Sequence, residues 1–219
     1  MSTPRSSSGP PRSTRSSSTQ DFQRCVGDEP AHRSCLQGDS DRLVGMSQHH
    51  LKKLILLRHS KASMPGHVTD HERPLSDQGH ADAPEAGKWL VEHNAAPDFI
   101  LCSSALRARQ TCTWICQELG EKAPTAKLED GLYNASETRI LTLINHVPET
   151  VQSLLVITHL PAVQDLALRL AADDSDEEAY TEVALSYPSG GIAVLEHDLK
   201  WAELDDRDCR LTGFAAPRA

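Results

Sequence analysis

Arg58-His59 follows directly on the apolar run Leu54-Ile55-Leu56-Leu57, and the same arrangement recurs twice further along the chain. Phe99-Ile100-Leu101-Cys102 runs into Ser103-Ser104-Ala105-Leu106-Arg107-Ala108, and Leu154-Leu155-Val156-Ile157 runs into Thr158-His159-Leu160-Pro161. Arginine presents a rigid fork of donors that matches phosphate, and histidine serves as nucleophile, base or donor. Any one of Arg58, His59, Arg107 and His159 alone would ordinarily be a surface ion-pair residue or a satisfied histidine. At equivalent positions after three apolar runs, they describe an edge suited to a phosphoryl group. A phosphoryl dianion repels nucleophiles, so a catalyst surrounds its equatorial oxygens with positive donors and holds a nucleophile in line. Arg58, Arg107 and Arg73 supply such a clamp, and an unprotonated imidazole is a competent nucleophile near neutral pH. The scheme calls for no metal and no cofactor, because arginine and histidine do the neutralising that Mg²⁺ does elsewhere. The sequence contains no Walker A loop.

For these side chains to meet, the apolar runs have to be strands buried on both faces, ending at the carboxyl edge where open α/β sheets bind ligands. A loop over 60–74 closes at Leu75-Ser76, where Ser76 is a suitable N-cap. Ala81, Ala83, Ala86, Trp89, Leu90 and Val91 then give a helical apolar stripe despite Pro84. A helix is predicted over 105–119, a weaker strand over 126–128, and a helix capped by Ser136 through about residue 146. Pro161 fits the first turn of a helix whose apolar face is Val163, Leu166, Ala167 and Leu170. The acidic run 173–178 reads as a solvated loop rather than a cation site. A strand over 191–195 and a short edge strand over 201–204 complete the pattern. Alternating strands and helices predict an α/β domain with a mainly parallel central sheet and helices on both faces.

The chain has 219 residues and a formal charge of −9. Residues 1–50 are rich in Ser, Arg, Pro, Thr and Gly and lack periodic apolar positions, so they are expected to be a disordered tail before a single domain at 51–219. Arg5, Arg12 and Arg15 without nearby acids suggest a transit peptide, but no apolar helical face supports that reading. Met46, just before the first strand, suggests an alternative start, and His49-His50 beside it reads as incidental. The acidic balance argues against nucleic acid as a partner, although arginines in one cleft still capture a small anion. Six cysteines, two of them in the tail, form no Cys-x-x-Cys spacing, and Cys112 and Cys116 read as small apolar residues on a helix. No apolar stretch is long enough for a membrane span and no signal core is evident, so a cytoplasmic protein with reduced thiols and no membrane partner is expected. A monomer is expected.

Four blocks carry a resemblance to a known family: Leu57-Arg58-His59-Ser60-Lys61-Ala62, Glu72-Arg73-Pro74-Leu75-Ser76-Asp77-Gln78-Gly79, Ser103-Ser104-Ala105-Leu106-Arg107-Ala108-Arg109-Gln110-Thr111, and Val156-Ile157-Thr158-His159-Leu160-Pro161. In this order, over roughly residues 53 to 215, the chain resembles the histidine phosphatase superfamily and, within it, the small SixA-like phosphohistidine phosphatases. Ser60 stands where most of the superfamily has Gly, a departure that weighs against a mutase. The resemblance implies a phosphoglycerate mutase-like fold, with His59 as the nucleophile that carries the phosphoryl group transiently. It further implies that His159, as an imidazolium, donates to a phosphate oxygen, and that Arg58 and Arg107 complete the catalytic set while Arg73 and Ser60 bind substrate. Glu129 and Asp130 are the only carboxyls placed to serve as general acid, and neither stands in a motif. An alcohol leaving group needs such an acid, whereas imidazole departs with a conjugate-acid pKa near 6.5. The first reading is therefore a hydrolase of phosphohistidine on a signalling or phosphotransfer protein. The alternatives are a phosphatase of small phosphorylated metabolites and an inactive phosphate-binding or scaffold protein.

Overall fold

The computed structural model describes residues 51–219; the expectations for 1–50, including Met46 and His49-His50, lie outside the described residues. The first strand, β1 (Lys52–Arg58), runs through the centre of a six-stranded sheet, and Leu54, Ile55, Leu56 and Leu57 are all fully buried. Successive side chains on a strand point to opposite faces. Ile55 and Leu57 accordingly pack against helices α1 (Asp77–Glu92) and α2 (Leu106–Leu119), which cover one face. Leu54 and Leu56 pack on the other face with α3 (Glu137–Ile144), α4 (Ala162–Leu170) and α5 (Glu177–Leu185). Burial on both faces is why the run has no polar alternation.

Around β1 lie β2 (Phe99–Ser103), β3 (Ala126–Glu129), β4 (Ser153–Thr158), β5 (Ile192–His197) and β6 (Arg210–Ala215), in the order β3-β2-β4-β1-β5-β6. The first four strands of that order are parallel, and β5 and β6 join antiparallel at one edge. The chain leaving β1 enters α1 on one face and the chain leaving β4 enters α4 on the other. A crevice therefore opens between the carboxyl ends of these two neighbours. Register then fixes the chemistry. Arg58 pairs with Thr158, so His59 and His159 leave adjacent strands at the same level, and His59 N donates to Thr158 O at 3.1 Å. On the far side of β4, Cys102 pairs with Ile157, which brings Ser103 to that level too.

Helix α1 starts where expected, with Ser76 Oγ accepting from Gly79 N at 3.1 Å. Gly79 is required there, because a Cβ would lie 2.1 Å from the Lys61 carbonyl oxygen. The helix thus presses on the backbone just beyond His59-Ser60.

The structure corrects two expectations. Part of the acidic run is helical: Asp176 caps α5 by accepting from Ala179 N at 2.8 Å, and Glu177 and Glu178 occupy the first turn, where carboxylates offset the unpaired N–H groups. Residues 201–203 form a helical turn rather than an edge strand. Trp201 is fully buried there and its Nε1 donates to Val151 O at 2.9 Å. The strand at that edge of the sheet is β6, with β3 at the other. Among the described residues, no helix is long and apolar enough to cross a membrane.

Candidate active site

His59 is 8% exposed at the end of β1, and its Nδ1 lies 2.7 Å from the Ser60 carbonyl oxygen. A carbonyl only accepts, so Nδ1 carries the proton and Nε2 keeps its lone pair. Arg107 Nε donates to that nitrogen at 3.2 Å, which agrees with this tautomer. Burial pushes the His59 pKa down to about 3, against the pull of the Ser60 bond, and the charges of His159, Arg107 and Arg58 push the same way. The imidazole is therefore neutral at pH 7.

His159 stands beside it, with ring centroids 4.9 Å apart. Its Nε2 is 2.7 Å from Ser103 Oγ, and its buried Nδ1 has no protein partner. Burial first, then Arg107, lower its pKa to about 4. In the free site, desolvation and neighbouring guanidiniums thus keep the ring neutral, with a single N–H to donate. A phosphoryl dianion beside it would favour protonation by the same electrostatics.

The arginines come from three elements. Arg58 Nη1 donates to Tyr187 O at 2.8 Å, and the buried Tyr187 hydroxyl in turn donates to Leu56 O at 2.7 Å. Its Nε is buried without a protein partner, and burial, followed by the charge of Arg218, lowers its pKa. Arg107, in the first turn of α2, is 6% exposed and reaches His59 through Nε. Arg73 Nε donates to Ser63 O at 3.0 Å, and its Nη1 donates to Asp70 at 2.8 Å. Asp70 is the carboxylate that Arg107 also contacts, so it joins Arg73 to the cluster. Ser60 is fully buried, and its Oγ has no protein partner. Its N–H donates to Thr111 Oγ1 at 3.1 Å, and that hydroxyl donates to Arg107 O at 2.8 Å. Thr111 thereby locks the backbone after His59 to α2. Gly190, at φ +75°, donates its N–H to the carbonyls of Arg58 at 3.0 Å and His59 at 3.2 Å, closing the other side.

Glu129 and Asp130 are not brought into this set. Glu129 accepts from Gly131 N at 3.3 Å and pairs with Lys127 at 3.3 Å, and neither carboxylate bonds to Arg58, His59, Arg107 or His159. The turn they begin delivers Tyr133 instead. Its ring lies 5.9 Å from the Arg107 guanidinium carbon and 5.8 Å from the His159 ring, and its hydroxyl donates to Asp70 Oδ2 at 2.9 Å. Sequence reasoning missed Asp70, Tyr133, Ser103 and Thr111 as working parts. Asp70 had one available signal, its place three residues before Arg73. Among the described residues, no cluster of three or more His, Cys, Asp or Glu could hold a metal ion.

The model of the histidine phosphatase superfamily (branch 1) matches residues 54–136, a span that holds Arg58, His59, Arg73 and Arg107. An uncharacterized protein of Mycobacterium tuberculosis is 37% identical over 163 residues, covering 74% of this chain and 100% of the relative. A protein of Nakamurella multipartitia assigned as the phosphohistidine phosphatase SixA has a similar structure. Its TM-score is 0.68 at 30% identity, over 77% of this chain and 98% of that one. A protein of Agrobacterium tumefaciens with the same assignment gives a TM-score of 0.60 at 28% identity, over 76% and 98% of the two chains. With Arg58 and His59 on β1, Arg107 on α2 and His159 after β4 gathered at one sheet edge, this chain belongs to the histidine phosphatase superfamily, in its SixA-like branch.

Proposed function

We propose that the protein is a metal-independent phosphatase that passes a phosphoryl group through His59 Nε2, with phosphohistidine on a signalling or phosphotransfer protein as substrate. One observation carries this reading. The buried neutral His59, its Nε2 unprotonated, lies against the Arg107 guanidinium and the His159 ring, and on His159 and the two chain neighbours of His59 three buried polar atoms lack protein partners: His159 Nδ1, Arg58 Nε and Ser60 Oγ. Buried polar groups are normally satisfied, and unmatched ones on these residues suit the oxygens of a phosphoryl group.

In the first half-reaction Nε2 attacks phosphorus as the P–N bond to the substrate imidazole breaks. That imidazole, protonated on its distal nitrogen, leaves as a neutral ring. The adduct on His59 keeps its Nδ1 proton on the Ser60 carbonyl and is therefore an N-phosphorylated imidazolium, itself a good leaving group when water attacks. Neither step requires a carboxylic acid, which suits a site where Glu129 and Asp130 stand apart. The segment between Arg107 and His159 forms the rest of α2, then β3 and α3, and supplies no further domain to stand over the cleft. That compactness favours a side chain presented by another protein.

Rapid quench with ³²P-labelled phosphohistidine protein should trap an acid-labile, base-stable adduct that His59→Ala lacks. Turnover of the phosphohistidine protein should also exceed that of alkyl phosphates by about 10²-fold or more, the usual worth of a missing general acid. Full activity in His59→Ala would refute the mechanism. Preferential turnover of sugar phosphates would favour the metabolite reading, and no turnover of any phosphate would favour an inactive member.

A further inference from the structure

Asp70 lies in the loop between β1 and α1 and makes four contacts with the clamp. Oδ1 accepts from Arg73 Nη1 at 2.8 Å, and Oδ2 accepts from Arg107 Nη2 at 3.0 Å and from the Tyr133 hydroxyl at 2.9 Å. Its backbone carbonyl accepts from Arg107 Nη1 at 2.6 Å. Hydrogen bonds from Arg73 first, then Tyr133 and Arg107, hold the carboxyl down at about 2, so it is an anion at any physiological pH. Arg107 is thus tied at both terminal nitrogens to Asp70, while its Nε–H rests on His59 Nε2 at 3.2 Å. In that position Arg107 covers the lone pair that has to reach phosphorus. An incoming phosphoryl group gains access only when Arg107 exchanges Asp70 and His59 for phosphate oxygens. The Asp70 side chain is 49% exposed and its loop lies at the surface, so the carboxylate can turn out into water when released.

We propose that Asp70 is a resident anion of the phosphate clamp, displaced by each substrate and returning as each phosphate product leaves. The inference rests on the reading of Arg107 as part of that clamp. Its consequence is quantitative. Displacement is a uniform cost, levied on substrate and product alike, so it weakens both without touching the chemical step. The site then sheds orthophosphate readily, and Asp70 sets the affinity at which it works.

The test is isothermal titration of the full chain with orthophosphate, alongside kcat and KM on an aryl phosphate. Asp70→Asn keeps an acceptor for Arg107 but removes the charge. It should bind orthophosphate about tenfold more tightly, equivalent to ~1.4 kcal/mol, with KM lowered by a similar factor and kcat not raised. The estimate sits at the low end for a charge-assisted contact because the carboxylate is half exposed. Tyr133→Phe removes one bond to the same carboxylate and should tighten orthophosphate about twofold, which keeps the test open if Asp70→Asn folds poorly. Unchanged or weaker orthophosphate binding in Asp70→Asn, in a protein whose wild type binds and hydrolyses phosphates, would overturn this inference alone and make Asp70 a positioning residue for Arg107. A wild type that neither binds orthophosphate nor hydrolyses any phosphate would overturn the proposed function as well.

Discussion

Replacing His197 with Phe should flatten the acid dependence of stability by about 2 kcal/mol between pH 7 and pH 5. His197 lies on β5, 3% exposed, opposite Lys52 of β1 and edge-on to Trp201 at 4.7 Å, and neither ring nitrogen has a hydrogen-bond partner. Burial first, then Lys52, push its pKa to about 4, against smaller upward pulls that include the charges of Asp198 and Glu149. In the unfolded chain the ordinary value is about 6.5. The folded value is the lower, so the unfolded state binds the proton first. Above about pH 6.5 both states are neutral and the group contributes no pH dependence. As pH falls from about 6.5 towards 4 the unfolded chain gains a proton that the fold refuses, and stability is lost. At pH 5 the unfolded imidazole is almost wholly charged and the folded one largely neutral, a difference of about 2 kcal/mol. The assay is urea unfolding of wild type and His197→Phe at pH 7 and pH 5. Phe keeps the ring against Trp201, and other titrating groups, His59 and His159 among them, are common to both proteins and cancel. Equal losses in the two proteins would show that His197 ionises freely inside the fold.

Arg107→Lys should lower kcat/KM on an aryl phosphate by about 10²–10³-fold with little change in melting temperature, because an ammonium cannot hold two phosphoryl oxygens at once as the guanidinium fork does. A loss under threefold would mean that the fork geometry is idle. The double replacement of Glu129 with Gln and Asp130 with Asn should leave phosphohistidine hydrolysis within about twofold, a barrier change of only ~0.4 kcal/mol. A hundredfold loss, read in the same assay, would place a carboxylic acid at the leaving group after all.

How far the sequence foretold the fold depended on how each element is buried. β1, β2 and β4 are covered on both faces, so their apolar runs and ends were legible. β6 is an edge strand with Gly213 in it and only Leu211 fully buried, which leaves little alternation to read. α5 buries only Ala179 and Val183, so its acidic surface dominated the pattern, and the capping role of Asp176 lay hidden in a run of like residues. Trp201 and its neighbours suggested a strand by composition, but one buried indole hydrogen-bonded to Val151 O anchors a turn equally well.

Within the site, the residues that leave strand ends were legible because register in a parallel sheet carries position from one strand to the next. Arg58 opposite Thr158 obliges His59 and His159 to be neighbours, whatever the loops do. Asp70 and Tyr133 reach the same point from loops, where no period links sequence to place, and only the folded chain shows them on Arg107. The protonation states were illegible for a related reason, since they follow from burial and from one backbone carbonyl. That carbonyl, Ser60 O, bears on the substrate. By holding the proton on Nδ1 it leaves Nε2 with the lone pair that the proposed mechanism uses. On the proposed mechanism it also keeps phosphorylated His59 in the cationic form that gives up its phosphoryl group to water, so both half-reactions expel a neutral imidazole. An alkoxide leaving group would break that symmetry and need a proton in the first step alone, and Asp70, the carboxylate bonded to the clamp, is an anion in the free site and, on the proposed displacement, turns out into water as substrate enters. The proposed preference for a P–N over a P–O bond follows from the same arrangement: a clamp of guanidiniums gathers the phosphoryl group without bringing a carboxylic acid to the leaving group.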